Sequence, residues 1–125
     1  MRILIAEPDA MRQRQLRTIL SSIGHRSADI DTVTDARSLT SNVRKKRYDI
    51  IFISHCPAEG LDALKLVSDL KAGSSKSVPV VLFSTMMDRE LVLGANQVGA
   101  NGFLGYPFSV NDVEGAVKTA VKRAT

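Results

Sequence analysis

Short strand-like runs alternate with longer segments of helical period along this chain, and that alternation constrains the fold more than any other feature. The strand-like runs fall at residues 2–6, 28–33, 50–53, 80–83 and 102–104, the second being the weakest. Most are uninterrupted apolar runs, as strands buried on both faces require. Between them apolar residues recur at helical spacing: Leu16, Ile19, Leu20 and Ile23, then Leu39 and Val43. The series continues with Leu61, Leu64, Val67 and Leu70, with Leu91, Val92, Ala95 and Val98, and with Val113, Val117, Ala120 and Val121. Strand–helix repetition with right-handed crossovers predicts an α/β fold, a parallel sheet covered by helices on both faces.

The punctuation agrees with this reading. Asp9, Asp35 and Asp88 each stand where a helix N-cap is needed. Ser109 to Asp112 resembles a capping box with Asp in place of the preferred Glu. Gly24 suits a helix end and Pro79 a strand start. The longest loop-like stretch, residues 72–77, is short enough to be a connection, so one domain over residues 1–125 is expected.

Bulk properties narrow the function. Hydrophobic content of 44% supplies a core, and charged content of 24% is ordinary for a soluble chain. No apolar run approaches the roughly 18 residues of a membrane span. With one cysteine, Cys56, there is no internal disulfide, and a cytoplasmic location is expected. The net charge of +4, 17 basic against 13 acidic residues, is mildly basic. Aromatic content of 5% and the absence of Trp make a base-stacking surface, and so nucleic-acid binding, a poor expectation. Basic residues cluster at Arg12, Arg14 and Arg17, and again at Arg44-Lys45-Lys46-Arg47. The first cluster reads either as a solvated face or as an anion patch. The second suits a helix C-terminus.

A doubly wound sheet of flavodoxin-like strand order 2-1-3-4-5 binds ligands beyond the carboxyl ends of strands 1 and 3. That places Glu7, Pro8, Asp9, Ser54, His55, Ser84, Thr85 and Tyr106 at the candidate site. Adjacent strand residues point to opposite faces, so Ser54 and His55 are not expected to converge as a nucleophile and base. Cys56 and the two histidines have no metal-ligand spacing, and strand 1 runs into Glu7-Pro8-Asp9 rather than a glycine-rich phosphate loop. Glu7 and Asp9 also read simply as charge at a helix N-terminus, and Ser54 as a small polar strand end.

The segments Ile3 to Asp9, Asp49 to Ser54, Val78 to Thr85 and Gly99 to Phe108 resemble the framework of the response-regulator receiver domain, over essentially the whole chain. In that family an acidic pair after strand 1 and a phosphoacceptor Asp on strand 3 hold Mg²⁺. A Ser or Thr ends strand 4, and a Lys precedes a Pro after strand 5. By this resemblance Glu7 and Pro8 take the acidic pair, with Asp9 one place beyond. Ser54 takes the phosphoacceptor place, Ser84 the hydroxyl place, Tyr106 the Lys place and Phe103 the toggling aromatic place. The loop at residues 55–62 is one residue longer than usual, and the Tyr106–Pro107 bond is expected to be cis.

The resemblance therefore implies a degenerate receiver, a pseudo-receiver with a vestigial phosphoacceptor pocket. Pro8 and Ser54 are poor Mg²⁺ ligands, Ser54 forms no acyl phosphate, and no cofactor is expected. The expected role is a non-enzymatic signalling module in a two-component pathway, contacting protein partners through Arg89, Phe103, Tyr106 and Asn111. That face is also compatible with a homodimer. Two alternatives stay open: an anion or nucleotide second-messenger sensor, and a phosphorelay receiver with an unorthodox site.

Overall fold

A computed structural model describes residues 1–86 and 88–124, with side chains to residue 122, so Arg123 and the terminal Ala124-Thr125 side chains lie outside the described residues. Five strands form one parallel sheet: β1 (Ile3–Ala6), β2 (Ile30–Val33), β3 (Ile50–Ser54), β4 (Val80–Ser84) and β5 (Gly102–Gly105). Their spatial order is β2-β1-β3-β4-β5, the doubly wound order expected. The helices are α1 (Ala10–Ser22), α2 (Ala36–Lys45), α3 (Ala63–Ala72), α4 (Arg89–Gln97) and α5 (Val110–Ala124).

Strand pleating sorts the apolar runs into two cores. Ile3, Ile5, Ile50, Phe52, Val81 and Phe83 pack against Leu16 and Leu20 of α1 and Val113 and Val117 of α5. The alternate residues Leu4, Ala6, Ile51, Ile53, Val80 and Leu82 meet Leu39 of α2, Val67 of α3 and Leu91 of α4. Both faces are dry, which is why β1, β3 and β4 carry no polar alternation.

Four carboxylates cap helices. Asp9, Asp35, Asp62 and Asp88 accept amide hydrogens from Arg12, Ser38, Lys65 and Glu90 respectively. Asp62 is the cap missed in the sequence. The third helix begins at Ala63 rather than at residue 61, and buries Ala63, Leu66 and Val67. Leu61 instead pairs with Cys56 in an isolated antiparallel bridge, fully buried, while Leu64 and Leu70 are only half-buried. The expected second strand is also shorter, because Ser27–Asp29 form a 3₁₀ turn. Gly24 takes φ 106°, a left-handed conformation open to glycine, immediately after α1.

A polar cluster around the buried Tyr48 ties the sheet edge to α2. The Tyr48 hydroxyl donates to Asp31 Oδ2 at 2.7 Å and accepts from Asn42 Nδ2 at 3.2 Å, while Lys46 Nζ reaches the same Asp31 oxygen at 3.1 Å. The Tyr48 and Lys46 hydrogen bonds hold the Asp31 carboxyl below its usual range. Burial, reinforced by the bond to Asp31, pushes the Tyr48 phenol up to about 12. A folded-state pKa above the unfolded value of ~10 stabilises the protein fully below pH ~10. That contribution is lost as pH rises through about 12. In a Tyr106→Phe variant, Tyr48 is the sole tyrosine. Its phenolate absorbance is expected to appear only near pH 12, and a titration near the free-tyrosine value of ~10 would contradict the buried cluster.

Candidate functional site

The carboxyl ends of β1, β3 and β4 deliver three buried polar side chains: Glu7, Ser54 and Ser84. Glu7 directly follows β1 and is fully buried, so its charge demands a partner. Arg12, in the first turn of α1, supplies it. Its Nε donates to Glu7 Oε1 at 2.7 Å and its Nη2 approaches Oε2 at 3.5 Å. Oε2 also accepts the Asp9 amide at 3.1 Å. The hydrogen bond to Glu7 raises the Arg12 pKa above its ordinary value, despite partial burial. Asp9 is turned away, capping α1 through the Arg12 amide at 3.0 Å. Pro8 sits between them with no side-chain donor atom.

The other polar groups are satisfied locally. The Ser54 hydroxyl lies 3.1 Å from Cys56 Sγ, and the Ser84 hydroxyl accepts the Met86 amide at 3.0 Å. Burial pushes the Cys56 thiol up, away from thiolate. His55 Nδ1 accepts the Ala63 amide at 3.2 Å and so braces the start of α3. Ser54 and His55 do not converge, as the strand geometry required.

The Tyr106–Pro107 bond is cis. The Tyr106 ring sits edge-on to Phe108 at 5.2 Å, with the Arg12 guanidinium 5.9 Å from its centroid. Its hydroxyl donates to Gln15 Oε1 of α1 at 2.6 Å. Tyr106 thus packs beside the Arg12 guanidinium and is tied to α1, and among its described bonds none reaches Ser54. The expected partner face is accordingly divided. Phe103 and Asn111 line one groove between α4 and α5, Arg89 is exposed at the start of α4, and Tyr106 turns towards α1.

The arginines of α1 do not form one patch. Arg12 is spent on Glu7 and Arg17 reaches Ile30 O and Ser27 Oγ, whereas Arg14 lines a groove with Pro107 and Phe108. The signal for Arg12 was present in the sequence as five-residue spacing from Glu7, but a guanidinium is as readily read as solvated.

The donor set fits Mg²⁺ poorly. Octahedral Mg²⁺ asks for hard, mostly anionic oxygens. Here the one carboxylate facing the pocket has both oxygens engaged by donors, Pro8 offers none, and Ser54 is neutral. Among the described residues no group of three His, Cys, Asp or Glu side chains is arranged for a metal.

This five-stranded sheet, with polar residues gathered at its carboxyl edge, defines a receiver-like α/β domain. The sequence profile of the response regulator receiver domain matches residues 3–118, and the chain belongs to that family. It is 28% identical over 109 residues to the sensory/regulatory protein RpfC of Xanthomonas campestris, covering 86% of this chain and 15% of that protein. It is 27% identical over 121 residues to the KDP operon transcriptional regulatory protein KdpE of Escherichia coli, covering 97% and 51%. The chain therefore spans about half or less of the length of these curated relatives. The crystal structure of the receiver domain of NtrX from Brucella abortus superposes with a TM-score of 0.85 at 24% identity, over 96% of this chain and 98% of that one.

Removing one partner of a buried ion pair leaves an uncompensated charge. Arg12→Ala is therefore expected to cost about 3 kcal/mol at neutral pH in denaturant unfolding, with part regained when Glu7→Gln removes the charge too. Tyr106→Phe keeps the ring and loses one exposed-side hydrogen bond, so it should cost no more than about 1 kcal/mol. Equal costs for the two single variants would show that the ion pair is not what holds this end of the sheet.

Proposed function

We propose that this receiver domain is a pseudo-receiver that signals by protein–protein contact without being phosphorylated. The observation that carries the reading is the Arg12 guanidinium seated on the buried Glu7 carboxylate. A cation from the chain itself balances the charge that would otherwise recruit a metal. Mg²⁺ then binds weakly, because it must displace a charge-assisted hydrogen bond as well as shed water. Three further residues support the same conclusion. Ser54 has no carboxylate to form an acyl phosphate, Pro8 adds no ligand, and Tyr106 brings no positive charge to a developing phosphoryl group.

What remains is a rigid scaffold for recognition in a two-component pathway of the cytoplasm, with no chemistry of its own. The face formed by α4, β5 and α5 suits a protein partner. Leu93 and Val110 are large apolar residues about half exposed there, at 50% and 47%. A groove of about 540 Å³ between α4 and α5 is lined by Phe103, Gly105 and Asn111. Small residues on its floor (Gly102, Gly115 and Ala116) leave space that a partner side chain can enter. With no phosphorylation to shift it, the domain rests in one conformation, and partner binding alone regulates it.

An amide NMR titration with Mg²⁺ followed by beryllofluoride, a phosphoryl mimic, tests the proposal. The resonances of Glu7, Ser54 and Ser84 are expected to stay in place up to about 10 mM Mg²⁺, a concentration far above that needed by a functional carboxylate site. Saturable shifts at these residues, propagating to Phe103, would show a working phosphorylation switch.

A further inference from the structure

The opposite end of the sheet carries a second, unassigned cleft. It opens at the amino ends of β3 and β4, between the end of α2 and the connection from α3 to β4, with a volume of about 860 Å³. Two segments remote in sequence meet across it. From one side come Arg44, Lys45 and Arg47, and from the other Ser74, Ser75 and Ser77. Val43, Val78 and Pro79 contribute apolar lining.

The charges in this cleft are unbalanced. Among the described residues the ion pairs join only Arg12 to Glu7 and Lys46 to Asp31. Lys46 is therefore the one cation of the Arg44 to Arg47 run that is neutralised. Of the nearby carboxylates, Asp31 is bound to Tyr48 and Lys46, while Asp49 lines the cleft as its single acidic residue among those described and accepts the Arg2 amide at 2.6 Å. Helix-dipole stabilisation accounts for Arg44 and Lys45 in the last turn of α2, but not for Arg47 beyond it. Four basic residues thus face one acidic residue in the cleft, and a concave site with such an excess of one sign concentrates counter-ions. Arginine forks facing hydroxyl donors match tetrahedral oxyanions in geometry as well as charge.

We propose that this cleft binds the phosphoryl groups of a small anionic ligand, held by Arg44, Lys45 and Arg47 with the serine hydroxyls of the α3–β4 connection. It shares no residue with the Glu7–Arg12 site and does not depend on the reading given above. The apolar lining suits a ligand with an organic portion, such as a nucleotide, rather than a bare anion.

Pyrophosphate and ATP, each titrated against ¹⁵N-labelled protein at physiological salt, provide the test. Saturable shifts confined to residues 44–47 and 74–78 are expected at concentrations below about 10 mM. Weakening as salt rises is expected too, because exposed charges are screened. The Arg44→Ala/Arg47→Ala double variant should weaken binding about tenfold or more, as loss of two charge-assisted contacts implies. Ser74→Asp should weaken it as well, and Arg26→Ala, elsewhere on the surface, should not. Tighter binding of ATP than of pyrophosphate assigns the organic portion to the apolar lining, and equal binding assigns recognition to phosphoryl groups alone. Either supports the cleft. Shifts scattered over all basic residues, an unaffected double variant, or no saturable shift with either probe would overturn it.

Discussion

The Glu7–Arg12 ion pair is the interaction on which the carboxyl end of this sheet depends. A carboxylate with no exposed surface cannot remain charged without a partner. Arg12 provides that partner at 2.7 Å, and in doing so anchors the first turn of α1 to the end of β1. The same turn is fixed by Asp9 as N-cap, and the Gln13 side-chain amide donates to the Glu7 carbonyl. Tyr106, just after β5, places its ring near the Arg12 guanidinium and bonds to Gln15 of α1. Electrostatics, capping and aromatic packing thus converge on residues 7–15. These contacts fasten the carboxyl end of β1 to the start of α1.

On the proposed reading, this junction is where function changed while the fold did not. The two cores are built from continuous apolar strands and do not care whether the residue ending β3 is acidic or neutral. Ser54 is accommodated by a contact with Cys56, and Ser84 by the backbone of the following loop. The loop after β3 is closed by the Cys56–Leu61 bridge and by Gly60 in a left-handed conformation. On that reading the groove between α4 and α5, lined by Phe103 and Asn111, is the recognition face.

Much of the fold was legible in the sequence because it rests on patterns that local chemistry enforces. Uninterrupted apolar runs located β1, β3 and β4, the alternation with helical segments located the weaker β2 and β5, and Asp9, Asp35 and Asp88 located three helix starts. The start of the third helix was misplaced because Leu61 fits the helical period yet belongs to a bridge with Cys56, a pairing set by the tertiary fold. The second strand was overextended because Ala28 and Asp29 carry no signal that separates a 3₁₀ turn from a strand edge. At the site, sequence position identified Glu7, Ser54, Ser84 and Tyr106, but not what each touches. Arg12 read as part of a surface patch, since nothing in a linear sequence shows that Glu7 is buried. Tyr106 read as part of one partner face with Arg89, Phe103 and Asn111, whereas its ring packs on Phe108 and its hydroxyl bonds to Gln15.

The most direct measurement is the intact mass of the protein after incubation with acetyl phosphate and Mg²⁺. With Glu7 neutralised by Arg12 and a serine ending β3, no phosphoryl group should be taken up, and the mass should remain that of the unmodified chain. Stoichiometric gain of one phosphoryl group, mapped to the carboxyl end of the sheet, would contradict the account.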